Sequence, residues 1–424
     1  MQKSSMTRPP TSATWLVVLM SASVLINYVD RGNLAVVGPQ FMASLGLPED
    51  RFGLLGSAFF VTYVLAMIPA GWLSDRYGAK PVLAAGVAIW SLATLLTGYA
   101  GAFATIFAYR LLLGVGESVA FPATSKMMAS QLDVGHAGTA NGAIAFGYSV
   151  GPAIGVAAGT YLLTHYGWRS TFITFGGLSL LWLIPWLMVR VHEPVLAHRE
   201  DPAAADAPGY REILAQRGLW GASLGHFASN YNFYFILFWL PSYLEKQRGF
   251  SPEKMGAVAV GAYIINAVSG LAAGIATDRW VKRGGSPTLA YKSLMGLNHV
   301  FSIFCMAGLV LLPERPAIAC LYAYEVVLGV SAPGVFAISQ ILAGPTATGR
   351  WVGIQNALGN VAGIFAPYIT GLMIVMGHGR YEGGFAVAAL VNVLGLLGWL
   401  FILRRIEAID WKAARRRLGA VSPG

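Results

Sequence analysis

Charge is what this chain has least of. Only 11% of its 424 residues are Asp, Glu, Lys or Arg, against roughly 25% in a soluble domain, so a water-covered globule is excluded. Cysteine is nearly missing. The two present, Cys305 and Cys320, both fall in apolar runs, which excludes a disulfide framework and a thiolate metal site. No Walker loop, HExxH pair or nucleophile elbow occurs, so the chain is read as no enzyme, with no cofactor and no metal. No segment alternates apolar and polar residues, which speaks against a membrane β-barrel.

What fills the chain instead is apolar: 56% of it. The apolar residues come in runs of about 20, enough to cross a hydrocarbon core as helices. Twelve are read, near 14–37, 52–73, 81–100, 103–128, 138–161, 170–190, 218–244, 255–279, 288–312, 317–342, 351–376 and 384–404. Helices are expected because backbone groups in lipid must pair within their own segment. The first run is too long for a removable signal peptide and lacks a small-residue cleavage site. The expectation is an all-α membrane protein of twelve transmembrane helices in two six-helix bundles. Residues 1–190 form the N-terminal bundle, 191–217 a cytoplasmic linker, 218–404 the C-terminal bundle and 405–424 a basic cytoplasmic tail.

The net charge of +10 suggests nucleic acid until its distribution is read. With both termini placed in the cytoplasm, the inner loops and tails hold most of the 29 Lys and Arg. The outer loops hold few, and the span interiors hold only Arg31 and Arg110. That bias is the positive-inside rule, and it argues for a multi-pass protein of a cell membrane and against nucleic acid. The stretch from Arg404 to Arg417 reads as an interfacial helix at anionic lipid, or else as a partner-binding tail. The linker, rich in Ala, Pro and charge, reads as solvated, its His192 and His198 included.

One short pattern is written twice. Gly71-Trp-Leu-Ser-Asp-Arg-Tyr-Gly-Ala-Lys80 returns about two hundred residues later as Gly274-Ile-Ala-Thr-Asp-Arg-Trp-Val-Lys-Arg283. It reads as an acidic-basic loop between two apolar segments, once in each half. Such repetition marks a carrier built from two related bundles, with a site between them.

The Gly71–Lys80 loop, the stretch Arg110-Leu-Leu-Leu-Gly-Val-Gly-Glu-Ser118 and the segment from Gly147 to Gly155 (GYSVGPAIG) resemble signatures of the major facilitator superfamily over essentially the whole chain. Tyr28-Val-Asp-Arg-Gly-Asn-Leu34, Ser57–Tyr63 with its Ile-Pro-Ala-Gly-Trp72 sequel, Gly116–Pro122 and Gly359–Gly363 are similar to the anion:cation symporters. That resemblance implies proton-coupled uptake of sugar acids and related organic anions in a bacterial inner membrane. For Asp75, Arg76, Asp278 and Arg279 it implies a gating latch, in which loop charges meet helix ends across the halves in one conformation only.

A charge at membrane depth costs about 2.5–3.5 kcal/mol on insertion scales, so it needs a reason. Five stand out: Asp30, Arg31, Arg110, Glu117 and Glu325. Arg110 and Glu117 share a helix face but lie about 10 Å apart along the axis, so each is expected to find a partner on another span. Asp30 and Arg31 point about 100° apart; one arrangement turns Arg31 to a cavity and Asp30 to a neighbouring helix. The functional reading gives Arg31 and Arg110 to a substrate carboxylate, whose shape the guanidinium fork matches. It gives Glu117 and Asp30 to the proton. The bland reading makes all of them helix-holding networks. Glu325 is left as a proton site, an ion-pair partner or a neutral acid bonded to Tyr322 or Tyr324.

Polar stripes complete the candidate site. His226, Asn230 and Tyr234 repeat every four residues along one face, and His226 stands where relatives carry glutamine. Asn356 and Asn360 lie one turn apart. Ser339 and Gln340 are expected to join them, and Tyr28, Tyr63 and Tyr148 to offer hydroxyls. Each can equally be helix-to-helix glue. Gly147 and Gly151 are read as packing positions.

The sequence therefore points to a monomeric secondary transporter in the lipid bilayer that imports a small organic anion with protons by alternating access. An exchanger or proton-antiporting exporter of the same fold is the alternative. A transporter-like membrane sensor is the rival from another class.

Overall fold

The computed structural model describes residues 11–46, 49–191 and 207–420. His192, His198 and most of the linker lie outside the described residues. All regular structure among the described residues is helical. Ten segments are long and apolar enough to cross a membrane.

The first half contains α1 (Thr11–Leu45), α2 (Glu49–Tyr77), α3 (Ala79–Thr97), α4 (Phe103–Glu117), α5 (Ala120–Gln131), α6 (Val134–Leu181) and α7 (Leu183–Met188). A short α8 (Tyr210–Leu214) leads into the second half. That half contains α9 (Arg217–Ser242), α10 (Pro252–Lys282), α11 (Pro287–Leu311), α12 (Glu314–Ala343), α13 (Thr348–Asn360), α14 (Ala362–Met376) and α15 (Glu382–Leu396). Single π-turns extend α9 at Tyr243–Gln247 and α15 at Leu397–Ile402, and α16 (Trp411–Ala420) closes the chain.

Several boundaries differ from the sequence reading. The repeated motif is not a loop. Helix α2 runs on through Tyr77, and Gly78 alone, at φ 92°, turns the chain into α3. Asp75 and Arg76 are therefore the last turn of a helix, and so are Asp278 and Arg279 in α10. Their charges imitate a loop because they lie where a span should end. The fifth and sixth spans are likewise parted by one residue, Gly167 at φ 80°, inside α6. The fourth span is two helices. It breaks after Glu117, where Pro122 has no N–H to offer the carbonyl of Ser118. In the tail the helix starts at Trp411, not at Arg404.

Close packing follows small residues. A Cβ on Gly147 would stand 2.7 Å from the carbonyl oxygen of Ser21, and one on Gly151 2.8 Å from that of Leu25. Bare glycine lets α6 lie directly on α1.

The two halves meet along two crossings, α2 on α13 and α6 on α10. Both lie at the end of the molecule where the linker leaves, called here the linker end.

Candidate functional site

A cavity of about 60 Å³ lies between the halves. Tyr28 of α1, Phe121 of α5 and Tyr148 of α6 line it from one side. His226, Asn230 and Tyr234 of α9, Asn266 of α10, and Asn356 and Asn360 of α13 line it from the other. Phe121 and Phe336 of α12 stack across the halves, ring centres 4.9 Å apart. The described wall contains no Asp, Glu, Lys or Arg.

The charges stand one layer behind. The Arg31 guanidinium lies 4.6 Å from the ring centres of both Tyr28 and Tyr63 and 5.0 Å from that of Phe59. Its Nε and Nη2 donate to Oε2 of Glu117 at 3.2 and 3.0 Å, and Nη2 also donates to Asn27 Oδ1 at 3.2 Å. Glu117 is fully buried, and its second oxygen, Oε1, accepts no hydrogen bond. This ion pair joins α1 to the point where the fourth span breaks.

The second half supplies neutral donors. Asn360 Nδ2 donates to the backbone carbonyl of Asn356, which accepts only, and this fixes the Asn360 amide orientation. The same Nδ2 reaches Asn356 Oδ1 at 2.8 Å, so the group Asn356 has left is its Nδ2 donor, buried and unpaired. Asn360 Oδ1 accepts from the Tyr234 hydroxyl at 2.7 Å. His226 Nδ1 and the Ser229 hydroxyl are also buried without partners. Unpaired buried polar atoms of this kind cost about 1–3 kcal/mol each and mark where a ligand would repay them.

Of the twelve residues the sequence offered for the site, seven line the cavity: Tyr28, Tyr148, His226, Asn230, Tyr234, Asn356 and Asn360. Arg31 and Tyr63 stand behind Tyr28. Arg110 and Ser339 do not reach the wall. Arg110 Nε donates to the backbone of Leu55 at 3.1 Å, with its guanidinium 5.2 Å from the Phe59 ring centre. Ser339 is spent on Gln355 Oε1 and the Val335 carbonyl. Gln340 exchanges two amide bonds with Asn141 of the other half. Asp30 turns away and accepts from Ser179 at 3.0 Å and from Asn33 at 3.4 Å. Glu325 bonds neither tyrosine; Asn266 Nδ2 donates to its Oε2 at 3.0 Å.

At the linker end the repeated aspartates each grip the start of a helix in the opposite half. Asp75 accepts from the backbone N–H of Gly349 at 3.1 Å and of Arg350 at 2.9 Å, in the first turn of α13. Such N–H groups have no partner within their own helix, and the helix dipole favours an anion there. Asp278 accepts from Gly138 at 2.9 Å and Thr139 at 2.7 Å, near the start of α6. The glycines one turn earlier permit the approach. A Cβ on Gly71 would collide with the Gly349 carbonyl, and a Cβ on Gly274 with the Gly138 carbonyl. The paired arginines take no part: Arg76 and Arg279 are exposed. Sequence reasoning missed Arg350, whose Nε reaches Asp75 Oδ2 at 2.9 Å, and buried Lys126, 3.5 Å from Oδ1 and bonded to the Pro345 carbonyl. It also missed Asn266 and Phe121. A signal was there: Gly138/Gly142 and Gly349/Gly353 repeat the same four-residue glycine spacing at the start of both partner helices.

Comparison with known proteins agrees with this architecture. The model of the Major Facilitator Superfamily matches residues 20–367. The "Probable galactarate/D-glucarate transporter" of Escherichia coli (strain K12) is 27% identical, over 96% of this chain and 97% of that protein. The "Probable sulfoacetate transporter" of Cupriavidus necator is 28% identical, over 94% and 96%. A solved proton:xylose symporter superposes with a TM-score of 0.78 at 15% identity, over 93% of this chain and 96% of that one; it shares the fold. The chain belongs to the major facilitator superfamily, and two of its relatives, in Oryza sativa subsp. japonica, are named as probable anion transporters.

Proposed function

We propose that this member of the major facilitator superfamily imports a small organic anion together with protons, by alternating access of two six-helix halves. The spans α1 and α9 bring the ten apolar segments to twelve, and the basic linker end faces the cytoplasm. The substrate is a sugar acid or another small carboxylate; relatives named for galactarate, glucarate and sulfoacetate support that class.

The observation that carries the reading is the Arg31–Glu117 pair behind the cavity wall, its arginine half-buried and its glutamate fully buried. While Glu117 is ionised, it holds two nitrogens of the Arg31 fork. A proton on Glu117 cancels its charge and leaves the half-buried arginine without a counterion, which is costly. A substrate carboxylate restores that counterion, and the guanidinium fork suits it. Proton and anion thus favour each other's binding, as symport requires. Asn356, His226 and Ser229 supply donors to the rest of the molecule. Asp30, held by Ser179 and Asn33, is assigned to the proton as well, and Arg110 to the positive field around the site.

The test uses protein in proteoliposomes with galactarate, D-glucarate and sulfoacetate. Glu117→Gln imitates the protonated acid. It should bind and exchange labelled for unlabelled substrate, yet fail to accumulate it under an imposed pH difference. Arg31→Lys should lose tenfold or more in affinity, about 1.4 kcal/mol. Accumulation by Glu117→Gln at the wild-type level would end this assignment of the coupling proton.

A further inference from the structure

The assignment above uses Glu117 and Asp30 and leaves a third acid unused. Glu325 lies in the middle of α12, 4% exposed. It borders a separate cavity of about 10 Å³, room for about one water, lined also by Ser149, Phe233, Tyr263, Asn266 and Leu328. Asn266, Phe233 and Leu328 line the central cavity too, so the two spaces share a wall.

The groups around Glu325 include no cation among the described residues. Tyr263 on α10 and Tyr148 on α6 lie close enough to feel its charge, as does Tyr324 beside it. Cys305 of α11 belongs to the same buried apolar cluster as Tyr324. Among the described residues, helix α9 contributes Phe233, Ile236 and Leu237. One side chain bonds the carboxyl: Asn266, 3.0 Å from Oε2. An ion-pair role is thereby ruled out within the described structure. A lasting charge is opposed by burial, which a single amide donor offsets only in part.

Asn266 does not act alone. Its Oδ1 accepts from the Ser149 hydroxyl at 2.8 Å, and Ser149 belongs to α6, in the other half. The same Nδ2 also reaches the backbone carbonyl of Glu325 at 3.4 Å, which accepts only, and this fixes the amide with Nδ2 toward Glu325 and Oδ1 toward the serine. This bond continues the line of contacts that joins α6 to the second half: Gly138 with Asp278, then Asn141 with Gln340, then Ser149 with Asn266. When the halves part along that line, the serine is withdrawn and Asn266 is released to turn.

We propose that Glu325 is an additional proton-binding site, set by contact between the halves through Ser149 and Asn266. The carboxyl keeps its amide donor while the linker end is closed and loses the lock when it opens. The proton reaches it from the central cavity past Asn266. Its occupancy therefore changes with the conformation of the carrier rather than with the substrate directly.

Infrared difference spectroscopy of the full chain in liposomes, between acidic and alkaline pH and without substrate, tests this. The wild type should show a carboxylic C=O band that vanishes at alkaline pH and is missing in Glu325→Gln. Glu325→Asp should keep a displaced band, which covers the case in which the glutamine variant does not assemble. Ser149→Ala should retain the band but move its midpoint by at least half a pH unit, about a threefold change in proton affinity. Spectra of Glu325→Gln identical to wild type would overturn the site. A midpoint untouched by both Ser149→Ala and Asn266→Ala would overturn its link to the halves. Neither outcome depends on which anion is carried, so a failed transport assay leaves this test standing.

Discussion

The two corners of the linker end use one design with unequal reinforcement. At both, an aspartate in the last turn of a helix binds two backbone N–H groups of a helix in the other half. Asp75 adds two cations, Arg350 from the opposite half and Lys126 from its own, and all three are buried. Asp278 has its two backbone donors and the Thr139 side chain, with no ion pair among the described residues. A hydrogen bond to a charged group contributes about 1.5–3 kcal/mol, so both corners hold. Removing one partner from a buried charge pair costs about 3–5 kcal/mol, so the first corner should fail far more expensively than the second. We therefore propose the α2–α13 corner as the stronger contact between the halves and the α6–α10 corner as the weaker one.

Asp75→Asn should give the largest effect. The amide still accepts one N–H but leaves Lys126 and Arg350 facing each other without an anion. A penalty of about 3 kcal/mol on the closed form is a hundredfold change in the balance of states. Spin labels at exposed Tyr77 and Leu289, one in each half, should report a longer distance at the linker end, with substrate affinity little changed. A distance distribution like that of the wild type would remove the latch from Asp75.

Asp278→Asn should act in the same direction and less, by about 1–2 kcal/mol. It loses one charge-assisted bond but strands no buried cation. The same label pair measures it. If Asp278→Asn opens the linker end more than Asp75→Asn does, the ranking of the corners is reversed, and the cations around Asp75 are structural filling.

The sequence displayed half of each corner. Apolar runs of about 20 residues announced the spans, and the repeated Asp-Arg pair announced the corners, because charge at a span end is conspicuous against an apolar background. The partners were hidden for a physical reason. Asp75 and Asp278 bind backbone N–H groups, which every residue carries, at sequence separations of 274 and 140 residues. Lys126 and Arg350 looked like ordinary basic residues at inner span ends. The one-residue turns at Gly78 and Gly167 look like loops in the sequence because nothing local distinguishes a turn of one residue from one of six. In the central site, seven of the residues singled out by type line the cavity. It could not tell that Ser339 would be consumed by Gln355, since that pairing depends on how α12 meets α13.

The smallest effect belongs to a contact outside the membrane that spans the same two halves. Tyr210 of α8 donates to the Ile68 carbonyl of the first half. The tail is fastened to the second, through Ile409 N–H to Leu342 and the Trp411 indole to Ala343. Glu212 and Arg415 join the two pieces at 3.3 Å, and Arg415 also reaches the Ala207 carbonyl. Partial burial works against the Glu212 charge, but the backbone N–H groups of Glu212 and Gly209 and the Arg415 guanidinium together hold its carboxyl below the ordinary value. A depressed carboxyl stabilises the contact above the usual carboxylate pKa of about 4.3. That contribution is lost as pH falls through the lowered value, so the tether is intact at neutral pH and weakens only in acid. Arg415 is 42% exposed, and such a pair is worth about 0–1 kcal/mol. Glu212→Gln should therefore loosen the tail, broadening the distance between labels at Leu214 and Arg417 at neutral pH. The Tyr77–Leu289 distance should stay at its wild-type value. Acidification should broaden the wild-type tail distance and leave that of Glu212→Gln unchanged. If the variant moves the Tyr77–Leu289 distance as much as Asp278→Asn does, the tether is a third latch, and the two buried corners do not by themselves set the closed state.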